Sequence, residues 1–454
     1  MADYSETLWN EFRHGKDAGD QHIQENRQTY LGNPLDYGKN LVRFHYADKE
    51  EVFDNVSYPK GGSILHMLRN YVGDSAFFKS LNKYLTDNKF KSAEAHNLRL
   101  AFEDVTGQDL NWFWNQWYYG SGHPKLNISY QYGSGKSMVI VEQQQNTGKI
   151  FKLPIAIDIY NGSSKVRNKV WINNKIDTFT FNTPTKPDLI NVDADKILLV
   201  DKKDNKTAAN FIHQWKYAPN YLDRREALDY FSTNNMAELA QGLNDKYHTL
   251  RLFTLEKLLS KKSLLTPEVL TKVESVVNND EYKLNRAAAL EILVNQNDKK
   301  YLPLFTRLTN DSSYSVAGTA LEGIAKLDPT TAKEISTKLK GDAKGKLGQQ
   351  ITSIIASNAT EDDFDFLLSQ YKNAPPTQQK LTESATFGKY LATLKNQDHV
   401  RSGVKELMVF RNQIPSQFRN FTDPTFKKTF DTISKSQRSA GNNELANYID
   451  SLLK

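Results

Sequence analysis

The hydrophobic period changes twice along this chain of 454 residues. Up to about residue 122 apolar residues recur at helical spacing. In "SETLWNEFRH" the side chains of Leu8, Trp9 and Phe12 share one face. "DSAFFKSLNKYLTDN" repeats the pattern, with Asp74 as N-cap and Phe77, Phe78, Leu81, Tyr84 and Leu85 as its apolar side. "NLRLAFEDVTG" stops at Gly107, a residue type suited to the position just past a helix. "DLNWFWNQWYYGSGHP" runs from Asp109 to Gly120 and Pro124, and its Trp112, Trp114 and Trp117 are expected in the core.

From residue 123 to about 203 the period falls to two. Leu126, Ile128, Tyr130 and Tyr132 alternate in "LNISYQY". "MVIVEQ", "FKLPIAIDIY", "KVRNKVWI", "DTFTFN", "LINVD" and "KILLVD" follow, separated by turn residues such as Gly133 and Asn161-Gly162. Seven short strands in this space predict a small β-sandwich. Helical spacing returns from residue 204 to 454, with a weak repeat. "YHTLRLFTLEKL" (Tyr247–Leu258) and "YKLNRAAALEIL" (Tyr282–Leu293) share Tyr-x-x-x-Arg-x-x-x-Leu-Glu-x-Leu. "NYLDRREALDYF" (Asn220–Phe231) and "SYSVAGTALEGI" (Ser313–Ile324) fit it more loosely, the four starts lying 27, 35 and 31 residues apart. Such a period predicts stacked helical hairpins of the HEAT kind; a non-repetitive helical bundle is the other reading. The fold expected is multidomain α+β: a helical part at 1–122, a β-sandwich at 123–203 and a helical repeat domain at 204–454.

Composition removes several function classes. Hydrophobic residues make up 39% of the chain, enough for sizeable cores. A net charge of +6 is a weak bias at this length, and without a dense Arg/Lys run no nucleic-acid partner is expected. With no cysteine there is no disulfide, thiol nucleophile or Cys-ligated zinc. No run reaches the ~18–20 apolar residues of a membrane span, and the polar start "MADYSETLWNEF" has no signal-peptide pattern.

Candidate chemistry is sparse. The nine histidines include no pair at i, i+4, so a His-Glu-x-x-His helix is absent. "HIQE" (His22, Glu25) and "HYADKEE" (His45, Asp48, Glu50, Glu51) collect ligand types, which surface polarity explains as well. There is no Gly-x-Ser-x-Gly, phosphate loop or dinucleotide fingerprint. Tyr58 stands out in "NVSYPKGGSILHMLR", before Pro59 and Gly61-Gly62 and ahead of a helix. A neutral phenol fixed beside a developing oxyanion contributes about 2.7–4 kcal/mol as a hydrogen-bond donor. A plain loop tyrosine is the competing reading.

"ADYSETLW", "SYPKGGSILHMLRNYVGDSAFFKSLNKYL" and "DLNWFWNQWYYGSGHPKLNISY" resemble, in that order, segments of the zinc aminopeptidases related to aminopeptidase N and leukotriene hydrolase. The first resembles the helix after that family's third zinc ligand. The second resembles its Tyr-x-Lys-Gly block, and the third the Gln-Trp and Gly-x-Pro segment closing its thermolysin-like catalytic domain. A β-sandwich and a helical domain follow in the family, as expected here. The resemblance implies that Tyr58 stabilises the oxyanion formed when zinc-bound water attacks an N-terminal peptide bond. Lys60 and Gly61 match the same block and would set the loop. The family's zinc-binding motif, its distant zinc-ligand Glu and its substrate-amine motif would fall upstream of "ADYSE".

The resemblance therefore implies the C-terminal portion of a zinc aminopeptidase acting on peptides. Zinc would belong to the full-length enzyme, with no metal site in this chain. The chain alone is expected to be inactive, and the missing N-terminal half is a candidate partner. It is further expected to leave apolar surface open around Leu8, Trp9 and Phe12. The alternative from another class is a non-catalytic protein-interaction scaffold with the same architecture.

Overall fold

The chain opens with two packed helices, α1 (Ala2–His14) and α2 (Lys16–Leu31). They join at Gly15, whose φ of 89° lies in the left-handed region that glycine tolerates. The computed structural model describes residues 1–261 and 265–453, which divide into two compact units, Met1–Leu239 and Ala240–Lys454. It is mixed α+β throughout the first unit and helical in the second.

In the first unit α1 buries Tyr4 and Thr7 and half-buries Leu8, whereas Trp9 and Phe12 are 60% and 83% exposed. Next come α3 (Gly61–Val72), α4 (Asp74–Asp87), α5 (Ala95–Thr106) and α6 (Asn111–Trp117). Asp74, expected as a cap, is instead the first residue of α4 and accepts from Arg69 at 2.8 Å. Trp114 and Trp117 are buried as expected, and the indole N–H of Trp114 donates to the Ala95 carbonyl at 3.0 Å. Trp112 is only half-buried.

Seven strands form two sheets. They are β1 (Lys125–Gly133), β2 (Lys136–Gln143), β3 (Leu153–Asn161), β4 (Ser164–Ile172), β5 (Ile176–Asn182), β6 (Leu189–Val192) and β7 (Asp201–Asp204). One sheet has the order β5-β2-β1-β7 and the other β4-β3-β6. Only β1 and β7 pair in parallel. Ile128, Val139 and Val141 of the first sheet share one core with Ile155, Ile157, Ile190 and Val192 of the second, and with the helices α1 to α6.

The seventh strand lies later than "KILLVD" suggests. Residues 196–200 bury Leu198 and Leu199 but make no ladder. Their backbone groups bond to side chains: Arg27 donates to the carbonyls of Lys196 at 2.9 Å and Ile197 at 2.7 Å, and the Leu199 N–H donates to Met67 Sδ at 3.5 Å. Satisfied in this way, the segment needs no neighbouring strand.

Two further helices, α7 (Ala208–Tyr217) and α8 (Tyr221–Asn234), are tied to the sheets by buried charge. Lys196 Nζ lies 3.2 Å from Asp223 and 3.4 Å from Glu226, and donates to Asn191 at 2.9 Å. Lys202 pairs with the other oxygen of Glu226 at 2.7 Å. Burial opposes the charge on Lys196, but Glu226, Asp223 and Asp193 hold its pKa above the ordinary lysine value. Arg224 of α8 also reaches Asp17 of α2 at 2.8 Å. The short helix α9 (Met236–Leu239) ends the unit.

The second unit contains α10 (His248–Leu259), α11 (Pro267–Asn279), α12 (Lys283–Val294), α13 (Leu302–Leu308), α14 (Tyr314–Leu327), α15 (Pro329–Lys338) and α16 (Gly345–Ala356). Five more helices follow between Phe364 and Ser451 among the described residues, so the pattern of "NELANYIDSLLK" reaches Ser451; Lys454 lies outside them. α12 packs against both α10 and α14. The arginines of the sequence repeat form rungs between successive matches. Arg251 donates to Asp280 at 2.6 and 2.9 Å, and Arg286 pairs with Asp311. Each aspartate also accepts the backbone N–H two residues on, Asp280 from Tyr282 at 2.8 Å and Asp311 from Ser313 at 2.9 Å. One carboxylate thus starts its own helix and anchors the preceding one. At the corresponding place in α14 stands Ala317, where the rungs end.

Candidate functional site

Tyr58 lies in a single π-helical turn, Val56–Lys60, that runs directly into α3. Such turns are rare and frequently lie at functional sites. The Lys60 N–H donates to the Asn55 carbonyl at 2.9 Å, and Pro59, which has no N–H, occupies a position that needs none. Asp54 anchors the entrance. Its carboxylate accepts from the N–H groups of Val56 and Ser57 at 3.2 and 2.9 Å. Arg43 donates to the same carboxylate at 2.5 and 3.1 Å and to the Ser57 hydroxyl at 2.9 Å. Burial works against the Asp54 charge, yet Arg43 and the Ser57 N–H hold its carboxyl well below the usual range. At the far end the Ser63 hydroxyl donates to the Pro59 carbonyl at 2.8 Å.

Held at both ends, the turn presents Tyr58 half-exposed, at 37%. Its ring leans on Phe53, with centroids 4.7 Å apart at 59°. Its hydroxyl has no hydrogen-bond partner among the described residues. It is a fixed donor open to an incoming acceptor.

Lys60 does not point outward as a loop lysine would. It is fully buried, 5.4 Å from the centroid of the Tyr30 ring. Beside it His123 stands edge-on to Tyr30 and Tyr37, centroids 5.5 and 4.6 Å away, with Nδ1 3.4 Å from the Tyr30 hydroxyl. Burial lowers the His123 pKa to about 4, so it is neutral.

The two glycines are not a turn. Gly61 is already right-handed helix at φ −60°, ψ −43°, and both belong to α3. The reason is close approach. A Cβ at Gly61 would meet Leu41 and the Val56 carbonyl at ordinary distances of 3.5 and 3.6 Å. A Cβ at Gly62 would stand 2.0 Å from Oδ2 of Asp3, the oxygen that accepts from Asn26 at 2.9 Å. Gly62 therefore leaves room for the Asp3 carboxylate in the position where it accepts from Asn26. Arg43 and Asp54 escape the sequence reading; the signal for Asp54 is its spacing to Ser57, Asp-x-x-Ser, which offers a side-chain cap to the turn.

The ligand-type clusters do not assemble. His22 turns toward α1, 2.9 Å from the Thr7 hydroxyl and 3.4 Å from Glu6, while Glu25 accepts from Gln21. In "HYADKEE", Asp48 accepts the Glu50 N–H at 2.8 Å and Glu51 accepts that of Ala47 at 3.2 Å. Among the described residues no three His, Asp or Glu side chains are grouped to hold a metal ion. No described helix is long and apolar enough to cross a membrane.

Residues 1–117, which contain the Tyr58 turn and α1 to α6, match the peptidase family M1 domain. Probable aminopeptidase 1 of Sulfurisphaera tokodaii is 23% identical over 356 residues, covering 73% of this chain and 40% of that protein. Tricorn protease-interacting factor F2 of Thermoplasma acidophilum is 32% identical over 118 residues, 25% of this chain and 15% of its own length. The crystal structure of Legionella pneumophila aminopeptidase A in complex with aspartic acid matches with a TM-score of 0.50 at 14% identity, covering 99% of this chain and 56% of that one. That last likeness is one of fold. The sequence matches make the chain similar to aminopeptidases, with the peptidase family M1 domain matched over residues 1–117. The chain is thus similar to M1-family aminopeptidases, and it spans about two fifths of the length of the probable aminopeptidases it matches. The family implies zinc in its full-length enzymes. Among the described residues, the His, Asp and Glu side chains are not grouped as that ion would need.

Proposed function

We propose that the chain is the C-terminal portion of a zinc aminopeptidase that removes N-terminal residues from peptides, with Tyr58 as its oxyanion donor. The observation that carries this is the turn itself. A phenol with an unengaged hydroxyl is fixed at one end by Asp54 and Arg43 and at the other by Ser63, inside the segment that matches the M1 domain. A donor aimed and immobilised in advance contributes most to charge that develops only in the transition state. Lys60 and Gly61 support the turn and take no part in the chemistry. The two sheets act as a β-sandwich brace at 123–203, and the helices of 204–454 as a HEAT-like repeat domain, a reading supported by the Arg251–Asp280 and Arg286–Asp311 rungs.

The chain alone is proposed to be inactive, its metal ligands, general base and amine anchor residing in a missing N-terminal half that serves as its partner. Aminoacyl-anilide hydrolysis tests both claims. The purified chain with added zinc should show no turnover. In the full-length enzyme Tyr58→Phe should lower kcat about 100- to 1,000-fold. Activity of the chain alone, or normal turnover by the full-length variant, overturns the reading. The second reading, a non-catalytic interaction scaffold, is favoured by a relative named for interacting with the Tricorn protease. It predicts that no longer form is active.

A further inference from the structure

Lys60 closes the Tyr58 turn with its side chain wholly out of solvent. Its nitrogen has no hydrogen-bond partner among the described residues; what it meets is the Tyr30 ring of α2. A lone ammonium in such a place is far more costly than a neutral amine. The surrounding charges sharpen the difference. Arg43, before the turn, and Lys149, between β2 and β3, both repel it. His123, before β1, is neutral, and its Nε2 is buried without a partner.

The nearby carboxylates are engaged elsewhere. Asp36 accepts from Asn33, Lys39 and Asn55, and Asp54 from Arg43 and Lys39. On α1, Asp3 accepts from Asn26 of α2. Arg27 of α2 is bound to backbone carbonyls. From α3 the Ser63 hydroxyl donates to the Pro59 carbonyl. Among the described residues no carboxylate pairs with Lys60, and a charge there would meet only the weaker attraction of the Tyr30 ring face.

We propose that Lys60 is the positioning residue of the Tyr58 turn and fills that role only as a neutral amine, so that the turn is clasped above neutrality and loosened below it. Burial, then Lys149 and Arg43, pull its pKa down to about 7. When the turn opens, the side chain reaches water and regains a lysine's ordinary value near ~10.4. Opening therefore takes up a proton between those two values. Across that window it becomes about tenfold rarer for each unit of rising pH. Below pH 7 both states are protonated and opening no longer depends on pH. The inference concerns the turn itself, and it stands or falls apart from the catalytic role proposed for Tyr58.

Amide hydrogen exchange on the whole chain, corrected for intrinsic rates, tests it. Protection at residues 56–62 should be flat from pH 5.5 to 6.5 and rise about 50-fold from pH 7 to 9. Lys60→Met, which fills the same space without a charge, should hold protection high at every pH. Unchanged wild-type protection between pH 7 and 9, or the same rise in Lys60→Met, overturns the proposal. A second measurement needs no variant at position 60. In protein labelled with 13C at lysine Cε, one resonance should titrate near pH 7 and survive Lys149→Gln, which removes the other depressed lysine of this region. Finding no lysine that titrates below about pH 9 in that variant overturns the proposal equally.

Discussion

Two buried lysines lie in the same unit and are treated in opposite ways. Lys196 sits among Asp223, Glu226 and Asn191, each within 3.4 Å. Lys60 has the face of Tyr30 and two cations for neighbours. Burial disfavours charge on both, and the neighbours decide the outcome: Lys196 is raised above an ordinary lysine and Lys60 falls to about 7. Lys196 fastens α8 to the sheets with a permanent charge. Lys60 closes a turn and is comfortable only when that charge is gone. Burial of a lysine therefore says little until its partners are known.

The sharpest way to break the contrast is Lys196→Met. It should leave the carboxylates of Asp223 and Glu226 buried with too little positive charge, at a cost of about 3–5 kcal/mol in urea unfolding of the chain. A loss below about 1 kcal/mol would mean that the network is decorative. Lys60→Met should act with the opposite sign, raising stability by about 2 kcal/mol at pH 6. The gain should shrink as pH rises through 7 toward 10, because the folded pKa is depressed and the wild-type penalty is full only below it. A pH-independent effect would erase the distinction between the two lysines.

Asp54→Asn probes the clasp rather than the lysine, and should cost about 1 kcal/mol at pH 7. Since the folded carboxyl is held low, its contribution is complete above the ordinary carboxylate range and is lost as pH falls through and below it. The variant and the wild type should therefore converge in acid unfolding curves. Tyr58→Phe should change stability by less than about 0.5 kcal/mol, because its hydroxyl bonds to nothing described in this chain. A larger loss in thermal unfolding would make Tyr58 a structural residue.

Much of this was legible in the residue pattern. The switch from period three-and-a-half to period two and back places the helices and sheets, and Trp114 and Trp117 are buried as their spacing suggests. The repeat of Tyr, Arg and Leu-Glu marks helices whose arginines meet the next aspartate. What was hidden depends on groups distant in sequence. "KILLVD" reads as a strand because its side chains are apolar, but Arg27, 170 residues before Ile197, takes the carbonyls a neighbouring strand would need. Lys60 reads only as a residue that sets the loop, since nothing in "YPKGG" says that Tyr30 covers it. Trp9 and Phe12 are open as expected, whereas Leu8 is half-covered by the core that α2 helps to build.

The glycine pair at the start of α3 has a consequence for anyone who would strengthen this protein. Replacing a helical glycine with alanine is a routine stabilising change, worth about 0.5–1 kcal/mol when the site has room. A propensity table rates Gly61 and Gly62 alike. At Gly61 the new methyl group would rest against Leu41 at van der Waals distance. At Gly62 it would drive into the Asp3 carboxylate and dislodge it from Asn26, weakening the tie between α1 and α2. Two adjacent, identical residues thus answer the same engineering step with opposite signs.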